Sequence, residues 1–240
     1  MRKFIGFISV ISICISFYAF QSKPLQSRIV SHIVDTKSSN LRMFYQDENG
    51  SPIGNFKRLK SIVELKDQQL KFAMNGGMYL KDQSPQGLYI EDGVTIKKVN
   101  LMKSNYGNFY MEPNGVFGLD KSNNPILIPT SEYKSELDLI YATQSGPMLL
   151  INGEYHPRFN KGSENIHIRN GVGVLPDGKI IFAMSTERIN FYDFATFFKE
   201  KGCVNALYLD GFVSKLYLPE KGILQEKGNF GVIIGEVVCK

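Results

Sequence analysis

Turn dipeptides cut this chain into short pieces, and that punctuation constrains its fold more than any other feature. Asp92-Gly93, Asn152-Gly153 and Asp177-Gly178 each stand between two short apolar runs, with further turn signals at Asn49-Gly50 and Asn114-Gly115. An Asn or Asp followed by Gly supplies the positive-φ pair of a tight hairpin. The pieces between are too short for long helices and read as strands: residues 28–34, 41–45, 72–74, 88–90, 94–99, 108–111, 116–119, 126–128, 148–151, 165–169, 180–184, 205–210 and 231–238. Three stretches break this rhythm with apolar residues at helical spacing, 59–70, 131–141 and 191–201. Asn190 with Asp193 is a weak capping box for the last of these, and Gly202 its stop. The expected fold class is α+β, a mostly antiparallel β-sheet built of hairpins with about three helices.

The ends of some strands carry polar residues beside glycine. Residues 205–210 alternate and stop on Asp210-Gly211, either a plain turn or a carboxylate presented at a strand end. Phe72-Ala73-Met74 runs into Asn75-Gly76-Gly77, a loop that would expose backbone N–H groups to an anion or a sugar oxygen. Asn165, His167 and Arg169 share one face of a strand, either solvated or lining a polar cleft, and Gly171 and Gly173 would leave room for a ligand there. Arg188 precedes the helix at 191, whose N-terminus is a candidate anion site. Ser145 lacks the G-x-S-x-G elbow of a serine hydrolase. Asp120 to Pro125 lacks the glycine and closing glutamate of a calcium loop.

Arg2 and Lys3 precede a charge-free run from Phe4 to Phe20. Residues 1–22 therefore read as a signal peptide or an uncleaved N-terminal anchor, and 23–240 as one domain held outside the cytoplasm. The net charge is +5, of which Arg2 and Lys3 supply two. With no basic run, nucleic acid is not an expected partner. Cys14 belongs to the leader. Cys203 and Cys239 are either one disulfide or two buried thiols, and neither has a histidine in a nucleophile motif.

Four blocks occur in an order that resembles the phosphodiester glycosidase domain family. They are Phe72 to Tyr79 (FAMNGGMY), Gln144 to Leu149 (QSGPML), Arg169 to Val174 (RNGVGV) and Leu207 to Gly211 (LYLDG). That family includes the lysosomal uncovering enzyme and exported bacterial proteins. The resemblance spans roughly residues 40–238. Phe212 and Val213 stand where many members carry glycines before a serine, here Ser214, and a phenylalanine there would narrow or reshape the sugar pocket. The resemblance implies cleavage of a sugar-1-phosphodiester at the anomeric carbon, with no metal and no cofactor. It implies Arg169 as phosphate ligand, Asp210 as acid/base or sugar-orienting carboxylate and Glu187 as a second carboxylate. It further implies a substrate-binding set of Asn75, Gly76, Gly77, Asn114, Gln144, Ser145, Gly146, His167, Asn170, Gly211 and Ser214. The rival is a noncatalytic glycan- or wall-binding module of the same fold. The expected partner is a glycan or sugar phosphodiester, with membrane contact through the N-terminal segment alone.

Overall fold

The structure is a computed structural model that describes residues 24–103, 106–210 and 213–240. The leader with Cys14 lies outside the described residues, as do Gly211 and Phe212. In chain order the strands are β1 (Ile29–Val34), β2 (Asn40–Phe44), β3 (Gln68–Asn75), β4 (Tyr89–Glu91), β5 (Val94–Lys97), β6 (Gly115–Asp120), β7 (Pro125–Pro129) and β8 (Leu139–Ser145). There follow β9 (Met148–Ile151), β10 (Glu154–Tyr155), β11 (Asn170–Val174), β12 (Ile180–Ser185), β13 (Ala206–Asp210), β14 (Leu216–Leu218), β15 (Ile223–Leu224) and β16 (Ile233–Cys239). Two α-helices are present among the described residues, α1 (Phe56–Glu64) and α2 (Phe191–Glu200).

The strands form three antiparallel sheets. A six-stranded sheet has the order β1-β12-β11-β13-β9-β10, one five-stranded sheet β15-β14-β3-β16-β2, and the other β5-β4-β8-β6-β7. The local turns behave as their sequence dictates. Asp92 and Gly93 both take positive φ between β4 and β5, and so do Asn152 and Gly153 between β9 and β10. The sheets themselves join strands remote in sequence, such as β1 with β12 and β3 with β16.

Period-2 alternation decides which way each strand faces. On β13, Leu207 and Leu209 enter a central core, whereas Ala206 and Tyr208 face α2. On β12, Ile180, Phe182 and Met184 point inward, and Ile181 and Ala183 meet the helix. All three sheets supply that central core. Phe182 of the first packs on Phe72 of the second at 4.9 Å and edge-on to Phe117 of the third at 5.9 Å. α2 covers the outer face of the six-stranded sheet and α1 that of the β3 sheet. Each helix is capped by an asparagine. Asn55 Oδ1 accepts from the Arg58 N–H, and Asn190 exchanges side-chain and backbone bonds with Asp193.

Several sequence expectations are corrected. The third helix, at 131–141, is absent. Residues 130–137 make two short 3₁₀ turns, and Leu139 opens β8, a central strand of its sheet. Sheet pairing overrides the helical spacing of Leu137, Ile140 and Tyr141. Residues 108–110 form a 3₁₀ turn rather than a strand. Asn114 is buried, and Gly115 begins β6 instead of closing a hairpin. Residues 165–169 bridge only through His167 to Ile189. Both cysteines are free thiols, Cys203 buried and Cys239 exposed, so they are neither bonded nor both buried. Burial pushes the Cys203 thiol up to about 12, which leaves it unreactive.

A polar strut crosses between two sheets. His32 of β1 stacks on Phe72 and meets Glu236 of β16 at 2.7 Å and Glu220 at 3.4 Å. Burial alone would push the Glu236 carboxyl up, but hydrogen bonds from His32 and Ser39 and the charges of His32 and Lys71 hold it below 4.5. A carboxylate depressed in the folded state contributes stability above its unfolded pKa and loses it as pH falls through the folded one. Glu236→Gln should therefore be less stable than wild type near neutral pH, and the gap should close as the pH drops below 4.5. Urea midpoints measured across that range check this.

Candidate functional site

The site grows from the C-terminal end of β3. Asn75 is fully buried, and its carboxamide meets four groups from two stretches of chain. Nδ2 donates to Asp210 Oδ2 at 2.7 Å and to the Val213 carbonyl at 2.5 Å. Oδ1 accepts from the Lys215 N–H at 2.9 Å and from Asn170 Nδ2 at 3.0 Å. Asn170 closes the circuit, because its Oδ1 accepts from the Asp210 N–H at 3.0 Å and its Nδ2 also donates to the Asn75 carbonyl. Below them Ser145 Oγ donates to the Leu209 carbonyl at 2.7 Å. The Asp210 carboxylate is thus fixed in position and direction before any ligand arrives.

Asp210 keeps 5% of its surface exposed and spends it on a cleft of about 490 Å³. The cleft is lined by Met78, Tyr79, Leu80, Lys81, Gln86, Asn108, His167 and Asp210. Burial, then the Asp210 charge, pushes the Tyr79 hydroxyl up, so it stays protonated as a donor. Burial, then the charges of Arg169 and Arg188, lowers His167, so its imidazole is neutral near neutral pH. His167 also lines a neighbouring hollow of about 580 Å³ with Ser185, Thr186, Ser214, Lys215 and Gln225. Ser214 Oγ donates to the Ile168 and Asp210 carbonyls.

Of the residues expected from sequence, Asn75, Asn170, Asp210, Ser214 and His167 come together. Gly211 lies outside the described residues. Arg169, expected as phosphate ligand, lines neither cavity. Its side chain is wholly buried, and its guanidinium stacks 3.5 Å over Phe191. It donates to the Ile189 carbonyl, to both oxygens of Asn165 and, at 3.4 Å, to the Tyr208 hydroxyl. Those donors are already spent inside the protein, where they bind the 165–169 and 189–191 segments together. Glu187, expected as second carboxylate, pairs with Arg28 at 3.4 Å and is not among the residues lining either cavity.

Gln144 holds backbone rather than sugar. It accepts from the Leu88 and Asn100 N–H groups and donates to the Asn100 carbonyl. Asn114 faces a separate hollow and donates to the Phe109 carbonyl. The glycines are spacers. A Cβ on Gly76 would lie 2.4 Å from Ile234 Cγ1, on Gly77 2.4 Å from Thr143 Oγ1, and on Gly146 2.7 Å from Asn114 Cβ. Gly171 and Gly173 make room for Phe194 and Phe198 of α2, not for a ligand. At the helix N-terminus expected to hold an anion, the Asp193 N–H already donates to the capping Asn190 Oδ1. Tyr79, Lys81, Gln86 and Asn108 escaped the sequence reading. Proximity of Tyr79 and Lys81 to Asn75-Gly76-Gly77 was the one signal pointing to them.

Comparison with known proteins agrees with this architecture. The phosphodiester glycosidase (NAGPA) family matches residues 68–230, and the chain belongs to that family. The uncharacterized protein YigE of Escherichia coli (strain K12) is 35% identical over 210 residues, covering 86% of this chain and 80% of its own. The catalytic domain of zebrafish N-acetylglucosamine-1-phosphodiester alpha-N-acetylglucosaminidase, auto-inhibited by its pro-peptide, shares the fold with a TM-score of 0.56 at 15% identity. It covers 88% of this chain and 90% of that one. A Burkholderia pseudomallei protein described as exported has a TM-score of 0.57 at 9% identity, covering 87% of this chain and 73% of that one. Among the described residues no helix is long and apolar enough to cross a membrane.

Removing the Asn75 carboxamide would orphan several buried groups, each costing about 1–3 kcal/mol. Asn75→Ala should accordingly lose several kcal/mol of stability in denaturant titration, far more than Ser214→Ala, whose hydroxyl makes two bonds of 3.2 Å.

Proposed function

We propose that this chain hydrolyses a sugar-1-phosphodiester at the anomeric carbon, outside the cytoplasm, using the Asp210 cleft. The observation that carries this reading is the fixed position of Asp210: its carboxylate is held by Asn75 and its backbone N–H by Asn170, yet it opens on a cavity with a neutral histidine and a lysine. Membership of the phosphodiester glycosidase family supports the reaction class, and the apolar run at 4–20 supports export.

The chemistry follows from charge. Breaking the bond between the anomeric carbon and the phosphate oxygen develops positive charge on the sugar. The fixed carboxylate of Asp210 stabilises that charge and, being pre-oriented, costs no reorganisation. A phosphomonoester departs as a stable anion, so its oxygen needs little help from an acid. Lys81 offset its charge at the cleft wall in this scheme, the role first expected of Arg169. Neutral His167 takes the proton of the attacking water, whose oxygen forms the new bond to the anomeric carbon. Tyr79, Gln86 and Asn108 supply hydrogen bonds to sugar hydroxyls.

One observation favours a second reading. Asp210 is the one carboxylate among the described residues lining the cleft, whereas most glycosidases flank the bond with two. A noncatalytic glycan-binding module of this fold needs none. Turnover separates the two. The full-length protein incubated with sugar-1-phosphodiesters should release free sugar, and Asp210→Asn should slow it by roughly 10²–10³-fold with little change in KM. With His167 as base, the acidic limb of kcat/KM should lie below pH 6.5 and vanish in His167→Asn. Retention of the glycan without release, in wild type and variants alike, would establish the binding module instead.

A further inference from the structure

Eleven large apolar side chains are exposed among the described residues, and four of them crowd into residues 94–102. Val94, Ile96, Leu101 and Met102 are exposed by 63%, 45%, 65% and 53%. Lys97, Lys98 and Lys103 stand between and beside them, all exposed. No acid occurs between Asp92 and Glu112. The stretch is therefore apolar and basic, although Asp82 lies near enough to Lys97 to feel its charge. It begins on β5, an edge strand with every residue exposed, and continues past it.

This ledge is bolted down. The buried Gln144 side chain bonds both the N–H and the carbonyl of Asn100, and Asn100 Nδ2 donates to the Gln86 carbonyl at 3.2 Å. Gly87 is required there, because a Cβ would lie 2.3 Å from Gln144 Oε1. Gln86 itself lines both the Asp210 cleft and the hollow under residues 96–102. A buried amide thus fixes an exposed apolar surface against the wall of the cleft. Contiguous exposed apolar surface of this kind marks an interaction site.

We propose that residues 94–103 dock on a lipid bilayer bearing anionic headgroups. Two features favour a bilayer over a protein partner. Lysine is depleted at the centre of protein interfaces, whereas at a bilayer its stem lies along apolar chains while the ammonium meets headgroup phosphates. The same chain also carries the apolar run at 4–20, which would hold the body beside a bilayer. The docking rests on exposure and charge, and stands apart from the hydrolysis proposed above.

The chain contains no tryptophan, which permits a site-specific reporter. Full-length Leu101→Trp should shift its emission to the blue and be quenched by brominated acyl chains when vesicles of phosphatidylcholine with phosphatidylglycerol are added. Vesicles of phosphatidylcholine alone should leave it unshifted. Changing Lys97, Lys98 and Lys103 together to Gln in that background should weaken the response about 10²-fold in lipid concentration. Leu65→Trp, at a position 87% exposed beyond the end of α1, controls for the leader and should stay unshifted. Three results would each overturn the proposal. One is no shift at 101 with the anionic vesicles, and another is an equal shift at 65. The third is a shift at 101 without lipid that grows with protein concentration, which would assign the ledge to a second copy of the chain.

Discussion

The Asn75 carboxamide is the interaction on which the rest of the site depends. Asn75 ends β3 in one sheet, while Asn170 and Asp210 sit at neighbouring ends of β11 and β13 in another. The two sheets share a core, and at this edge of it buried polar groups must be satisfied by one another. An amide is suited to the task because it donates and accepts at once. It meets a carboxylate, a carbonyl, an N–H and a second amide without adding charge. A carboxylate in its place could not donate to Asp210, and an aliphatic side chain would leave four groups unmet.

That constraint explains why the site looks as it does. Gly76 and Gly77 follow Asn75 because the chain must turn tightly between Ile234 and Thr143 for the amide to reach its partners. Ser145 braces the Leu209 carbonyl from below. Arg169, next to Asn170, turns away into the slot between Phe191 and Tyr208, and pins the segment that carries His167 to the start of α2. Burial, tempered by the Arg169 charge, pushes the Tyr208 hydroxyl up, so the pair is a protonated phenol beside a guanidinium. The four blocks that mark the family are mostly scaffold for one carboxylate, rather than four sets of ligand contacts.

Much of the fold was legible because it is local. Asp92-Gly93 and Asn152-Gly153 announce their hairpins, and Asn190 with Asp193 announces α2. What was illegible is non-local. Leu139 to Ser145 has helical spacing at its start, yet it becomes a strand because β4 and β6 wait on either side. Leu216–Leu218 and Ile223–Leu224 are too short to register, and exist because β3 offers a free edge. In the site, Asn75 and Asp210 were visible as polar residues beside glycine at strand ends. The direction of Arg169 was illegible because alternation fixes the face of a strand, and residues 165–169 are not one. Lys81, Gln86 and Asn108 reach the cleft from loops, where no periodicity reports direction.

In the proposed reaction a pre-fixed Asp210, not Arg169, organises ligand binding. A crystal structure with a non-hydrolysable sugar-1-phosphonate ester tests it most directly. The anomeric carbon should lie over the Asp210 carboxylate and the phosphonate beside Lys81, with the Asn75 bonds unchanged and Arg169 still stacked on Phe191. A phosphonate held by an Arg169 side chain swung out of its slot, or a ligand bound away from Asp210, would contradict it.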